Sequence, residues 1–450
     1  MMTRKDPLRD LMTAHMTGKV QGAVGAALCA LFLLAALAAC SAMEGAAVIA
    51  VVGTICVGML LFGAWRTMKD EPVITLLCAA LLCMLAVGAH LSMLEIRPGY
   101  MTKVLTPMLD DMWNYELVTA AAWEEGAWSG VHLFIMALVS RLENFPQMTA
   151  LKLLDLVCQC GAALAVLQLA KTRGAKPFGA TAAMMACVLV PTMLLNTGCW
   201  MQMDALFAML TLWGLYLLLE DHPLAGCMLW GLALGTKLQS AFLFPLLIVM
   251  FMNRKVSLRH ILALAAVYVV SQIAFVLDGQ GVLPIFTRYA QQLEAVRTGD
   301  VGLSDHAPGI FGLMIVASVR EFSGMGLYFG IACALLVVFV LLMRRYDKQS
   351  MLLAALLLAM GLPLILTQMN ERSLYLAGLL AFALAGSPRG FAVAIVLELI
   401  SLCSYMKGIF NMDILPIQVL SLMAIAAAVV VALELVKRLK QTEAADGSEA

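Results

Sequence analysis

Stretches of about twenty consecutive apolar residues recur along the whole chain, each long enough to cross a hydrocarbon core of about 30 Å. A polypeptide patterned this way cannot hide its apolar surface inside one water-soluble core. Roughly fourteen such stretches can be marked: Val20–Ala39, Ala46–Trp65, Val73–Met93, Ala150–Ala170, Pro177–Leu195, Met201–Leu219, Pro223–Thr236, Gln239–Met252, His260–Leu277, Phe322–Met343, Met351–Leu366, Leu374–Gly386, Gly390–Met406 and Ile414–Val436. Composition agrees, with 62% hydrophobic and 13% charged residues and a mean hydropathy of +0.92, outside the range of soluble domains. The expected fold class is an all-α polytopic membrane protein with about 14 transmembrane helices.

Basic residues set the expected orientation. With the N-terminus cytoplasmic, the inner loops collect Arg4, Lys5, Arg9, Lys19, Arg66, Lys69, Lys171, Arg173, Lys176, Arg254, Lys255, Arg259, Arg344, Arg345, Lys348, Arg389, Lys437, Arg438 and Lys440. This satisfies the positive-inside rule and places the C-terminus inside as well. Gly130–Leu142 is apolar but too short for a span, and counting it as one would move Lys171, Arg173 and Lys176 outside; it reads as an interfacial or re-entrant helix. The resulting plan has a cytoplasmic tail and three spans in 1–93, an extracytoplasmic loop in 94–149 and core helices in 150–277. A second outer loop in 278–321, further spans in 322–436 and a tail in 437–450 complete it.

Several function classes lack support. The twelve cysteines and six histidines show no metal-ligand spacing, and neither a phosphate-binding Gly-Lys-Ser/Thr loop nor a dinucleotide fingerprint occurs. Short basic runs mark topology rather than nucleic-acid binding. Leu37-Ala-Ala-Cys40 resembles a lipoprotein cleavage box, against the plainer reading of a first helix ending in small residues. A multi-pass protein of a bacterial cytoplasmic membrane is the expected localisation.

Polar groups cluster at the expected outer helix ends. Trp200-x-Gln202-x-Asp204 opens one helix, Lys237-x-Gln239 and then Pro245 follow, and Asn370-Glu371-Arg372 precedes another. Membrane-embedded charges are expensive and normally face a bundle interior or a wet cavity. Each residue also has a plainer reading. Asp204 suits a helix start by the dipole, and Lys237 suits a snorkelling loop lysine. Arg372 can pair with Glu371, and Trp200 alone is an interfacial belt residue. About one turn apart on the helix, Trp200 and Asp204 share a face at i and i+4, with Gln202 turned away.

Asn196-Thr-Gly-Cys-Trp-Met-Gln-Met-Asp204 and Gly231-Leu-Ala-Leu-Gly-Thr-Lys237-Leu-Gln-Ser-Ala-Phe-Leu-Phe-Pro245 resemble the W-x-Q-x-D and K-x-Q…P signatures of the GT-C superfamily. These are polytopic glycosyltransferases that use lipid-phosphate-linked sugars. The nearest branch resembles bacterial relatives of the second mannosyltransferase of GPI-anchor assembly. Asn370-Glu-Arg372 looks like that branch's His-Glu-Arg, and Val131–Leu142 followed by Lys152-Leu-Leu resembles its loop-to-second-helix passage. The likeness runs from roughly Leu94 to Tyr375, with the first two helices as additions.

The resemblance implies membrane-parallel helices in the first outer loop, with Trp113, Tyr115, Trp123 and Trp128 as interfacial aromatics. It implies an inverting transfer of a hexose, mannose first among them, from a polyprenyl phosphate to an extracytoplasmic acceptor that is a lipid, a glycan or a protein. No cofactor is required beyond the donor substrate; a divalent metal is compatible with so acidic a loop. The family's essential Asp aligns with Tyr100, so the base falls to Asp110 or Asp111, with Glu95 behind them, or else the activity is lost. Asp110 and Asp111 equally suit ordinary solvated loop carboxylates. Trp200, Gln202, Asp204, Lys237, Gln239, Asn370, Glu371 and Arg372 would bind substrate, with Lys237 and Arg372 on the phosphate. A transporter or flippase of lipid-linked saccharide and a silent family member stay open beside the enzyme.

Overall fold

A computed structural model describes residues 16–123, 128–298, 307–314, 319–367 and 369–447. Arg4, Lys5 and Arg9 of the expected inner tail lie outside the described residues. Helices account for the regular structure. In chain order they are α1 (Gly18–Ala39), α2 (Ala46–Thr67), α3 (Val73–Leu91), α4 (Thr106–Trp113), α5 (Leu117–Ala121), α6 (Gly130–Val139) and α7 (Gln147–Thr172). Then follow α8 (Pro177–Leu189), α9 (Pro191–Leu194), α10 (Asp204–Leu219), α11 (Pro223–Thr236), α12 (Pro245–Met252), α13 (Leu258–Ser271) and α14 (Ile273–Leu277). The last are α15 (Leu283–Thr298), α16 (Val319–Met343), α17 (Lys348–Ile365), α18 (Tyr375–Leu384), α19 (Pro388–Phe410) and α20 (Ile417–Gly447).

Helix forms in every one of the marked apolar stretches, but not every one is a full span. Among the described residues, eight helices are long and apolar enough to cross a membrane, or nine if α8 and the segment Pro191–Trp200, bent by 44°, count as one broken span. The others are short or interrupted. The stretch beginning at Gln239 is a 3-10 turn (Leu238–Leu243) leading into α12, and the stretch beginning at His260 breaks at Gln272 between α13 and α14. Prolines account for several boundaries: Pro177, Pro191, Pro223, Pro245 and Pro388 all occupy the first turn of a helix, where a missing N–H costs nothing. α6, ten residues long, is too short to span, as expected of 130–142. None of the twelve cysteines forms a disulfide, which fits their use as small apolar residues.

The chain divides into two compact units. The first comprises residues up to Arg97 together with Leu142–Ala205; the second comprises Pro98–Arg141 and Leu206 onward. In the first, α7 packs on α8 and on α2, and α3 packs on α2 and α8. Eighteen of the 26 residues of α7 are buried, among them Lys152, Asp155 and Gln159, so this helix is surrounded by protein.

In the second unit, charged side chains tie one set of helix ends together. Lys348 Nζ reaches Glu220 Oε2 at 2.8 Å, Arg344 reaches Glu443 at 2.8 Å, Arg438 pairs with Asp347 and Arg389 pairs with Glu434. Lys255 Nζ lies 5.8 Å from the Tyr346 ring centroid. These ion pairs bring the segments around Glu220, 344–348, Arg389 and 434–443 together at one end of that unit. Asp347 also caps α17 by accepting from Ser350 N at 2.8 Å. Burial opposes ionisation of its carboxyl, but the bonds from Arg438 and Ser350 outweigh it and hold the group below its ordinary value.

Candidate functional site

In the first unit the site begins with a broken helix. Val190 precedes Pro191 and adopts extended backbone (φ −68°, ψ 146°), as a residue before proline prefers. The helix therefore stops, and Pro191 supplies no N–H to the carbonyl four residues back. Inside a membrane those freed carbonyls need other donors. Buried Gln159 Nε2 donates to Cys187 O, and His90 Nε2 lies 3.1 Å from Val188 O. As the donor at Nε2, a neutral His90 carries its lone pair on Nδ1.

Beyond the break the backbone winds through a π-helical turn, Leu195–Trp200, and then leaves helical geometry altogether. Met201 (φ 52°) and Met203 (φ 51°) both occupy the left-handed region, which costs a non-glycine residue about 1 kcal/mol or more. α10 starts only at Asp204. The expectation that Met201 is already helical is thus corrected, and with it the shared i, i+4 face of Trp200 and Asp204 and the outward turn of Gln202. Trp200 and Gln202 are each 6% exposed and Asp204 is 0% exposed, so all three are buried. Trp200 is therefore no belt residue facing lipid. Asn196 Nδ2 donates to Asp204 Oδ2 at 2.9 Å, closing the polar loop around the distorted backbone.

Lys152 Nζ, 1% exposed, donates to Met93 O at 2.9 Å, Leu94 O at 3.2 Å and Ile96 O. Its donors are spent on the turn where the first outer loop leaves α3. Glu95 sits inside that turn with its own side chain exposed.

In the second unit, Lys237 stands between α11 and the 3-10 turn in extended conformation (φ −154°, ψ 133°). It is half-buried, with Nζ 5.2 Å from the Phe207 ring centroid, a cation–π arrangement. Gln239 Oε1 is buried and accepts no hydrogen bond among the described residues. The residues just before Lys237 are held by the start of α6 and by Gln272. Ser129 Oγ donates to Thr236 O, His132 Nδ1 lies 3.1 Å from the same oxygen, and Gln272 Nε2 donates to Gly235 O at 3.2 Å. Gln272 also accepts from Gly130 N at 2.9 Å. A Cβ on Gly130 would collide with the Gln272 side chain, and one on Gly235 with Ser271 Oγ, so both glycines permit the close approach.

Arg288 completes this collar from α15. Its guanidinium donates to Trp123 O at 2.6 Å and Trp128 O at 3.2 Å and lies 5.3 Å from the Phe275 ring centroid. Tyr289 Oη donates to Leu234 O, and burial pushes its phenol well above the ordinary tyrosine range, keeping it a donor. None of Ser129, His132, Gln272, Arg288 and Tyr289 stood out in the sequence. Their signal was weak: polar residues at single positions inside segments that read as loop or apolar helix.

The remaining expected residues are placed as follows. Asn370 Oδ1 accepts from Ser373 Oγ at 3.1 Å and from Arg372 N at 3.3 Å, forming the turn that leads into α18. Arg372 Nε lies 3.5 Å from Glu371 Oε1, with side chains 18% and 7% exposed, so the neighbouring ion pair is present. Asp110 and Asp111 lie on α4 and are exposed, as are Trp113 and Tyr115, while Tyr100 is half-buried. Among the described residues no group of three or more His, Cys, Asp or Glu side chains is placed to hold a metal ion.

A family model for glycosyltransferase family 87 matches residues 131–369, more than half of the chain. The chain belongs to glycosyltransferase family 87. The family 87 match begins inside α6, whose N-terminus meets Thr236 and Gln272. It contains Trp200, Gln202, Asp204, Lys237 and Gln239 and stops one residue before Asn370. Glu95, Tyr100, Asp110 and Asp111 precede it. No curated protein sequence matches the chain. The chain is thus a membrane glycosyltransferase by family, with its helix breaks inside the family 87 segment.

Proposed function

We propose that this protein transfers a hexose, mannose in the first instance, from a polyprenyl-phosphate carrier to an acceptor outside the cytoplasmic membrane, with inversion at the sugar. The observation that carries this reading is the Lys237–Gln239 turn of the family 87 segment. A cation stands on an aromatic ring there beside a buried amide oxygen that accepts no hydrogen bond among the described residues. A phosphate leaving group wants positive charge, and a sugar hydroxyl can donate to an orphaned carbonyl oxygen. Irregular backbone at membrane depth is tolerated where protein buries it or a cavity lies beside it, and both candidate motifs sit on such breaks.

In this reading Lys237 and Arg372 meet the phosphate. Gln239 and Asn370 hold sugar or linkage oxygens, and Glu371 orients Arg372. The Trp200–Asp204 loop binds the donor through its side chains. A carboxylate of the first outer loop, Asp110 or Asp111 with Glu95 as the third choice, takes the acceptor proton as the glycosidic bond to phosphate breaks. Lys152 supports Glu95 by fixing the backbone on either side of it. Both termini are assigned to the cytoplasm and the acceptor to the opposite side.

Purified full-length protein supplied with radiolabelled polyprenyl-phosphate mannose and cell-envelope acceptors tests the proposal. Transfer that falls at least a hundredfold in one of Asp110→Ala, Asp111→Ala or Glu95→Ala supports it. Donor binding without transfer would instead make this a silent family member, the reading that Tyr100 favours. Movement of label across liposomes without transfer would make it a flippase.

A further inference from the structure

The first two helices precede the family 87 segment, and between them lies a cavity of about 430 Å³ that glycosyl transfer does not explain. α1 contributes Gly18, Gln21, Gly22 and Gly25, ending at Cys29; α2 returns from Gly58 through Phe62 and Trp65 to Arg66, with Lys69 just beyond. Eleven intervals at 1.5 Å rise make the slot about 16 Å long. Its two ends differ chemically. Gln21 Nε2 donates to Lys69 O at 3.2 Å, which puts the start of α1 beside the basic end of α2. At the far end Gly58 faces the Cys29 thiol.

The floor is open because side chains are missing from it. A Cβ on Gly18 or Gly22 would meet nothing within 4 Å, whereas one on Gly25 would lie 3.1 Å from the Trp65 ring. That ring is fixed, since Trp65 Nε1 donates to Leu76 O at 2.9 Å. Arg66 and Lys69 are exposed at the mouth, the guanidinium 5.9 Å from the Phe62 ring centroid, and among the described residues neither makes an ion pair. Asp70 and Glu71 share the following turn but do not line the slot. Thus a cationic mouth opens on an apolar trough running along a membrane-spanning hairpin.

From this arrangement we infer that the slot is a binding site for one anionic phospholipid, its phosphate at Arg66 and Lys69 and an acyl chain along the glycine face of α1. The charge gradient along the slot selects this occupant over a neighbouring apolar helix, which would leave both cations without a counter-charge. Cations near a membrane surface attract anionic lipid by about fivefold each.

Native mass spectrometry of the detergent-purified full-length chain, titrated with phosphatidylglycerol or phosphatidylcholine, tests the site. Preferential retention of one phosphatidylglycerol is expected, weakened about twenty-fivefold in Arg66→Gln/Lys69→Gln. Gly22→Leu, which fills the trough without touching charge, is expected to abolish retention of that lipid. Equal retention of the two lipids, or no effect of the charge-removing pair, overturns the assignment. So does displacement of phosphatidylglycerol by a lower concentration of polyprenyl phosphate, which would give the slot to the carrier lipid. The charge variants lie on the surface and keep the test valid if Gly22→Leu does not fold.

Discussion

Asn196 donates a 2.9 Å hydrogen bond to the carboxylate of Asp204, and neither side chain has any exposed surface. Removing one donor from a buried carboxylate costs about 1–3 kcal/mol. Asn196→Leu is therefore expected to lower thermal stability in detergent by about that amount. Asp204→Asn keeps a hydrogen-bonding side chain of the same shape and should fold. If the charge serves the donor, transferase activity in Asp204→Asn falls by roughly a hundredfold, about 2.7 kcal/mol of barrier. Unchanged activity in that variant would reduce Asp204 to a structural acid.

The Pro191 break makes a second prediction, readable as a double-mutant cycle. Gln159→Leu leaves Cys187 O without its side-chain donor and should cost about 1–3 kcal/mol. Pro191→Ala restores an N–H four residues along the chain. Combining the two should therefore cost less than the sum, because the ladder can close over the carbonyl that Gln159 served. Additive losses would mean that the two residues act independently.

Arg288 of α15 holds the carbonyls of Trp123 and Trp128, ahead of α6. Hydrogen bonds from a charged donor contribute about 1.5–3 kcal/mol. Arg288→Met should release the segment between α5 and α6, seen as faster cleavage there in limited proteolysis. Activity should fall mainly through a raised KM if this collar positions the Lys237 turn. A cleavage pattern identical to wild type would show that α6 is held without Arg288.

Lys237→Gln removes the cation stacked on Phe207 while keeping a polar side chain of similar length. A weaker grip on a donor phosphate should raise KM for polyprenyl-phosphate mannose by about tenfold or more, corresponding to roughly 1.4 kcal/mol. Lys237→Arg should recover part of the loss. Equal KM values in wild type and Lys237→Gln would place the phosphate elsewhere.

Acid should weaken the ion-paired end of the second unit. The folded pKa of Asp347 lies below its ordinary value, so its contribution is present above the unfolded value and is lost as pH falls through the folded one. Because both side chains are about a third exposed, the contribution at neutral pH is on the order of 1 kcal/mol or less. Asp347→Asn should lower stability slightly at pH 7 and flatten its decline below pH 4, measured by thermal unfolding across pH. A decline as steep as wild type would assign the acid sensitivity to other carboxylates.

Much of the fold could be read from the chain itself. Apolar runs located the helices, and first-turn prolines set several of their starts. Glu220, Arg344, Asp347, Lys348, Arg389, Glu434 and Arg438 meet at one end of their unit through ion pairs whose partners lie far apart in the chain. Span count was less legible. Hydropathy measures apolar length and is blind to a break such as Gln272 between α13 and α14, or the 3-10 turn after Lys237.

The sequence by itself determined a helical membrane protein and a likeness to membrane glycosyltransferases, because hydrophobic length and motif spacing are properties of the chain read locally. Only the tertiary structure decided what those motifs are built on. The carbonyls freed at Pro191 and satisfied by His90 and Gln159, and the collar of Ser129, Gln272 and Arg288, join residues far apart in sequence. Each answers a hydrogen-bonding demand that arises only once the backbone is broken out of reach of water, and no local pattern encodes which distant side chain will meet it.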